Sequence, residues 1–204
     1  MCKNFNIMAR QSSRRPTKWI GRVGQIKALA TPIRQDIVDT IAALGSCSVA
    51  ELAAALGRPA DGLYYHVKAL QRAALIRVSV ATRRRRPETR LSIDGPQSIR
   101  YEPAQSANRE AVLRLVSAML RSARRQFARG LRQDGAVIRG PFRNLWAGRI
   151  RGGLSPSELR EVNRLLNALI RTFRQLRPTE SSLYELTFVL APTPMQHGRP
   201  KRRS

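Results

Sequence analysis

The chain has 204 residues, 42% of them hydrophobic, with 38 Lys+Arg against 13 Asp+Glu and a formal charge of +25. That length holds one good core or two small ones, and the apolar content excludes wholesale disorder. No apolar run approaches the ~20 residues a bilayer span requires. Two cysteines, Cys2 and Cys47, cannot build a disulfide framework or a four-thiolate zinc site. A charge of this size repels itself unless a polyanion lies close, which points to nucleic acid, DNA or RNA alike.

Residues 1–10 show no apolar stretch behind a charged start, so no secretory signal is read and the expected location is cytoplasmic and nucleoid-associated. Residues 1–24 read as a basic flexible arm, with Trp19, Ile20 and Val23 as its docking points. The first firm helix is expected at Thr31-Pro32, a cap residue followed by proline at the first helical position. Ile33, Ile37, Ile41 and Leu44 form its apolar face, and Gly45 stops it. Ser48 with Glu51 three residues on is a capping box. It opens a second helix whose apolar face is Val49, Leu52, Ala53 and Leu56, ended by Gly57. A turn at Arg58-Pro59 leads to a third helix over 60–74, with Leu63, Val67 and Leu70 inward. Two helices joined by a tight turn, with the small Ala53 at their crossing, predict a helix-turn-helix.

Residues 75–80 switch to β-branched residues with a period near two. Arg83, Arg84, Arg85 and Arg86 interrupt, and residues 90–93 resume the pattern, which predicts a hairpin wing. A long helix follows over 107–131, marked by Val112, Val116, Met119, Ala123 and Phe127. Residues 145–150 carry a weak strand signal. Ser155-Pro156-Ser157-Glu158 then caps another helix. Its seam, Leu159, Val162, Leu166, Leu169, Phe173 and Leu176, has heptad spacing and is the expected dimerisation element, with a core of its own as the competing reading. Residues 183–190 read as a strand, and 195–204 as a basic disordered tail. The expected fold is mainly α with a small β-hairpin wing. A DNA-binding domain is placed over 25–103, and a helical dimerisation or effector region with a short strand over 104–194.

The third helix is the right size for the major groove, about 12 Å wide. Once Leu63, Val67 and Leu70 are assigned to the core, Tyr64, Tyr65 and Lys68 remain as candidate readers, Lys68 for guanine or phosphate. Asp61 suits either a cytosine amino group or, preferably, the helix dipole. Arg58, Ser48, Arg90 and the four wing arginines complete the candidate DNA contacts. His66 reads as a partly buried histidine bonded to a neighbouring helix. Cys47 reads as inert filler rather than a redox sensor. No catalytic residue, metal ligand or cofactor motif is expected, so an enzyme is the weakest class. Phe142, Trp146 and Phe173 read as core, with an effector pocket for an unidentified small molecule as the minor alternative. The remaining rival is a non-specific nucleoid-type or RNA-binding basic protein.

Residues 27–34, 49–57, 63–70 and 73–76, and above all Leu63-Tyr64-Tyr65-His66, resemble the ArsR-type winged-helix transcriptional regulators, in particular the branch without metal sensing. The resemblance covers about residues 26–102. It implies a homodimeric bacterial repressor or activator with the third helix in the major groove and the wing on the backbone. Metal-sensing members carry Cys-x-Cys in the second helix, where this chain reads Val49-Ala50-Glu51-Leu52-Ala53, and Ala74 stands where the family places Gly.

Overall fold

A computed structural model describes residues 18–83, 86–95, 97–175 and 183–193. Helix α1 (Val23–Leu29) precedes the first helix expected from sequence. It has no side-chain cap, and it is held by burying Ile26, Ala28 and Leu29. Strand β1 (Lys18–Ile20) leads into it and pairs in parallel with β5 (Gln97–Ile99). Residues 18–24, read as part of an arm, therefore take part in the fold. Ile20 is buried and Val23 packs on the core, whereas Trp19 stays exposed.

Helices α2 (Pro32–Leu44), α3 (Val49–Leu56) and α4 (Asp61–Arg72) follow as the spacing predicts. Gly45 at φ 78° and Gly57 at φ 61° take the left-handed turns that end α2 and α3, a region open to glycine without steric cost. The Ser48–Glu51 box is formed in both directions: Glu51 N donates to Ser48 Oγ at 3.2 Å and Ser48 N to Glu51 Oε2 at 2.8 Å. Ile37, Ile41, Leu52, Leu63 and Leu70 meet in one core. Burial of each such side chain contributes roughly 1.5–3 kcal/mol.

The wing is longer than the alternation suggested. Strands β3 (Arg77–Arg83) and β4 (Arg86–Ser92) pair antiparallel, with Arg83 opposite Arg86, and β2 (Ser46–Cys47) joins β4 on its other side. Helix α5 (Ser106–Gly130) packs on α1 and α2, burying Asn108, Ala111, Leu115 and Ala118. Two buried amides fix these helices. Gln35 Nε2 donates to Leu29 O at 2.8 Å and Leu115 O at 3.4 Å, and Asn108 Oδ1 accepts from Glu102 N at 2.9 Å. Helix α6 (Pro156–Gln175) begins at a second capping box, with Ser155 N donating to Glu158 Oε2 at 2.8 Å and Glu158 N to Ser155 Oγ at 3.3 Å. Among the described residues, six helices, a three-stranded antiparallel sheet and the β1–β5 pair thus form a mainly α winged helix-turn-helix with a C-terminal helical region.

Two local expectations fail. Residues 145–150 and 183–190 form no strand: neither stretch is paired with another strand among the described residues. Phe142 and Trp146 are not core but 84% and 69% exposed, and the Trp146 ring is covered on one side by the Arg143 guanidinium at 3.6 Å.

Candidate nucleic-acid interface

Helix α4 divides cleanly into two faces. Leu63, Val67 and Leu70 are buried, and Asp61, Tyr64, Tyr65 and Lys68 lie on the opposite, exposed side at helical spacing. Tyr64 is 50% and Tyr65 69% exposed, although both carry large apolar rings. Both rings remain largely exposed on the same side of the helix as Lys68. Asp61 occupies the first turn of α4, where its charge favours the helix dipole. Arg58 lies in the exposed turn between α3 and α4.

Sequence reasoning missed Arg34. From α2 it donates Nη1 to Ala28 O at 3.4 Å and sits over the Tyr65 ring at 5.8 Å, which links α2 to the outer face of α4. Its position one turn into a neighbouring helix gave no local signal of this contact. His66 is partly buried beside Tyr65, with ring centroids 5.4 Å apart in an edge arrangement. Its Nδ1 is buried without a partner among the described residues, so the expected bond to a neighbouring helix is not formed. Burial first, then the Arg34 and Arg58 charges, hold its pKa below the usual imidazole value.

Two candidate contacts are engaged internally. Ser48 is buried, and its hydroxyl serves the α3 cap. Arg90 donates Nη1 to Glu51 Oε2 at 2.6 Å and Nη2 to Ser46 O at 2.7 Å, with Glu88 at 3.5 Å. Its side chain, 20% exposed, therefore clasps wing strand β4 to the cap of α3. Arg84 and Arg85 lie outside the described residues, as do the side chains of Arg83 and Arg86.

Cys47 is buried, and burial, followed by the Glu51 charge, pushes its thiol up to about 11, which suits inert filler rather than a reactive thiolate. The seam of α6 is only half-covered: Leu159, Leu169 and Phe173 are 40–42% exposed, Val162 and Leu166 are intermediate, and Leu176 lies outside the described residues. No helix among the described residues is long and apolar enough to cross a membrane.

Residues 29–79 match the family described as a helix-turn-helix domain. The matched stretch runs from the end of α1 into β3 and so takes in helices α2, α3 and α4. A search of curated proteins gives no match. Among solved structures, a transcriptional regulator homologue from Pyrococcus horikoshii OT3 is 18% identical, with 52% of this chain and 89% of that one covered and a TM-score of 0.31. BpsR of Bordetella bronchiseptica, whose DNA binding is regulated by 6-hydroxynicotinic acid, is 16% identical, with 72% and 77% covered and a TM-score of 0.25.

Proposed function

We propose that this chain is a sequence-specific transcriptional regulator of the ArsR-type branch that lacks metal sensing, acting in the bacterial cytoplasm as a homodimer on an inverted-repeat operator. The observation that carries it is the outer face of α4, where two large, mostly exposed rings lie beside an exposed cation. Uncovered aromatic surface of this kind marks a binding site rather than a folding requirement. In this reading Tyr64, Tyr65 and Lys68 meet base edges in the major groove. Arg58 holds a phosphate, and the arginines at the wing tip hold the backbone or the adjacent minor groove. The +25 charge supplies affinity for any nucleic acid, and the α4 face supplies discrimination.

The second copy is argued from α6. Leu159 and Phe173 stand seven residues to either side of Leu166, and Val162 and Ile170 four residues to either side. An antiparallel pair of α6 helices centred on Leu166 therefore matches like with like, as a two-fold interface requires. It also places the Arg171 and Arg174 ends of the two helices far apart.

Substitution of Tyr64, Tyr65 and Lys68 by Ala tests the reading face. Affinity for the preferred operator should fall to the level of random DNA while non-specific binding persists. Retained sequence preference in the triple variant overturns the assignment.

A further inference from the structure

Three consecutive carbonyls at the end of α4 are held by side chains from the neighbouring β1, α1 and β5. Gln25 Nε2 of α1 donates to Ala73 O at 3.0 Å, Lys18 Nζ of β1 to Ala74 O at 3.0 Å, and Gln97 Nε2 of β5 to Leu75 O at 2.6 Å. Carbonyls at a helix end lack partners within their own helix, so donors of this kind fix how the chain leaves it. The corner they hold contains Ala74 at φ 54° and turns α4 into β3. It therefore governs the angle between α4 and the wing.

A cavity of about 470 Å³ opens beside this corner, lined among others by Lys18, Trp19, Arg22, Gln25, Ala74 and Arg100. That volume suits a small organic ligand. Trp19 is 64% exposed, which leaves a large ring mostly uncovered at the cavity. Arg22 is exposed and has no ion-pair partner among the described residues. Arg100 Nε pairs with Glu102 Oε1 at 2.9 Å, and Glu102 is the one acid of the lining among the described residues. Three cations against one carboxylate favour an anion.

We propose that this cavity binds a small aromatic carboxylate, its ring against Trp19 and its carboxylate between Lys18 and Arg22, and that occupancy loosens the corner between α4 and β3. A carboxylate is a stronger acceptor for an ammonium than a neutral carbonyl is. Pairing with the ligand draws Lys18 from Ala74 O, and the corner loses a hold at its left-handed residue. The ligand binds the state with Lys18 released better than the state with Lys18 engaged, which is the differential affinity that a shift requires. The consequence for DNA rests on the reading by α4 proposed above, whereas the cavity and its ligand do not.

The test uses the full chain with Trp146→Phe, which leaves Trp19 as the sole tryptophan. Benzoate is the probe, with benzamide as its uncharged counterpart and inorganic phosphate as an anion without a ring. Benzoate should change Trp19 emission saturably, and both controls should displace it only at much higher concentration. Arg22→Gln should weaken benzoate binding by about tenfold. No saturable change, unchanged binding to the Arg22→Gln variant, or displacement by either control at equal concentration overturns the site. Loosening is read without DNA from hydrogen exchange of the Ala74 and Leu75 amides, which donate to Gln71 O and Leu70 O. Benzoate should speed this exchange, and Lys18→Met should speed it without ligand; unchanged exchange in both overturns the loosening. Saturating benzoate should also weaken binding to the preferred duplex by about fivefold, and bound duplex should weaken benzoate by the same factor. Faster exchange in a chain that prefers no duplex removes only the reading by α4, and faster exchange with unchanged affinity for a preferred duplex removes the link between corner and DNA.

Discussion

Replacing Arg90 separates two roles that its position in the wing makes easy to confuse. As a clasp, its guanidinium binds Glu51 at 2.6 Å and the Ser46 carbonyl at 2.7 Å, joining β4 to the capped start of α3. A buried hydrogen bond to a charged group is worth about 1.5–3 kcal/mol. Here the Arg90 and Glu51 side chains are 20% and 44% exposed, and screening reduces the pair to roughly 1 kcal/mol. The bond to Ser46 O adds on the order of 0.5–1 kcal/mol. Arg90→Met keeps the aliphatic stem and removes the donors, so it should lower stability by about 1.5–2 kcal/mol. Urea unfolding measures this, and DNA affinity at several salt concentrations measures the other role in parallel. Because a clasp touches no phosphate, the slope of log affinity against log salt should be unchanged. If stability instead stays within about 0.3 kcal/mol and the slope drops by about one unit, Arg90 is a phosphate contact and the clasp reading is wrong.

Two further outcomes are expected. Ala74 holds φ 54°, a left-handed conformation that costs an alanine roughly 1–2 kcal/mol. Ala74→Gly removes that strain and returns about 0.5–1 kcal/mol to the unfolded state as chain freedom, so the urea midpoint should rise modestly at constant m-value, and a fall would contradict the strain argument. His66 has its pKa lowered from 6.5 by burial and by Arg34 and Arg58. The unfolded chain then binds the proton more readily than the folded one. The stabilising difference is present above pH 6.5 and is lost as pH falls through the lower folded value. His66→Gln should remove this acid loss, and identical pH profiles for variant and parent would exclude His66 as its source.

Much of the domain was legible because its signals are local. Thr31-Pro32, the Ser48–Glu51 box, Gly45 and Gly57 each act within a turn of their own position, and α2, α3 and α4 begin or end beside them. The division of α4 into a buried and an open face followed from spacing alone. What the sequence hid depends on distant partners. Helix α1 has Gly24 within it and no cap, and strands β2 and β5 are two and three residues long, so all three exist only through packing or pairing with remote segments. Arg90 looked like part of the basic wing because its partner Glu51 is 39 residues away. The missing bond at His66 Nδ1 is equally non-local. Residues 145–150 and 183–190 show the converse: a strand reading from local sequence that no pairing strand completes among the described residues.

The central claim is that the outer face of α4 reads sequence rather than charge alone. Selection of bound duplexes from a random DNA library, at a salt concentration that suppresses non-specific binding, tests it most directly. The account predicts enrichment of an inverted repeat with half-site centres about one helical turn apart, roughly 34–36 Å. A bound pool with no enriched sequence, held with one steep salt dependence, would contradict it and leave a packaging protein whose affinity comes from its charge.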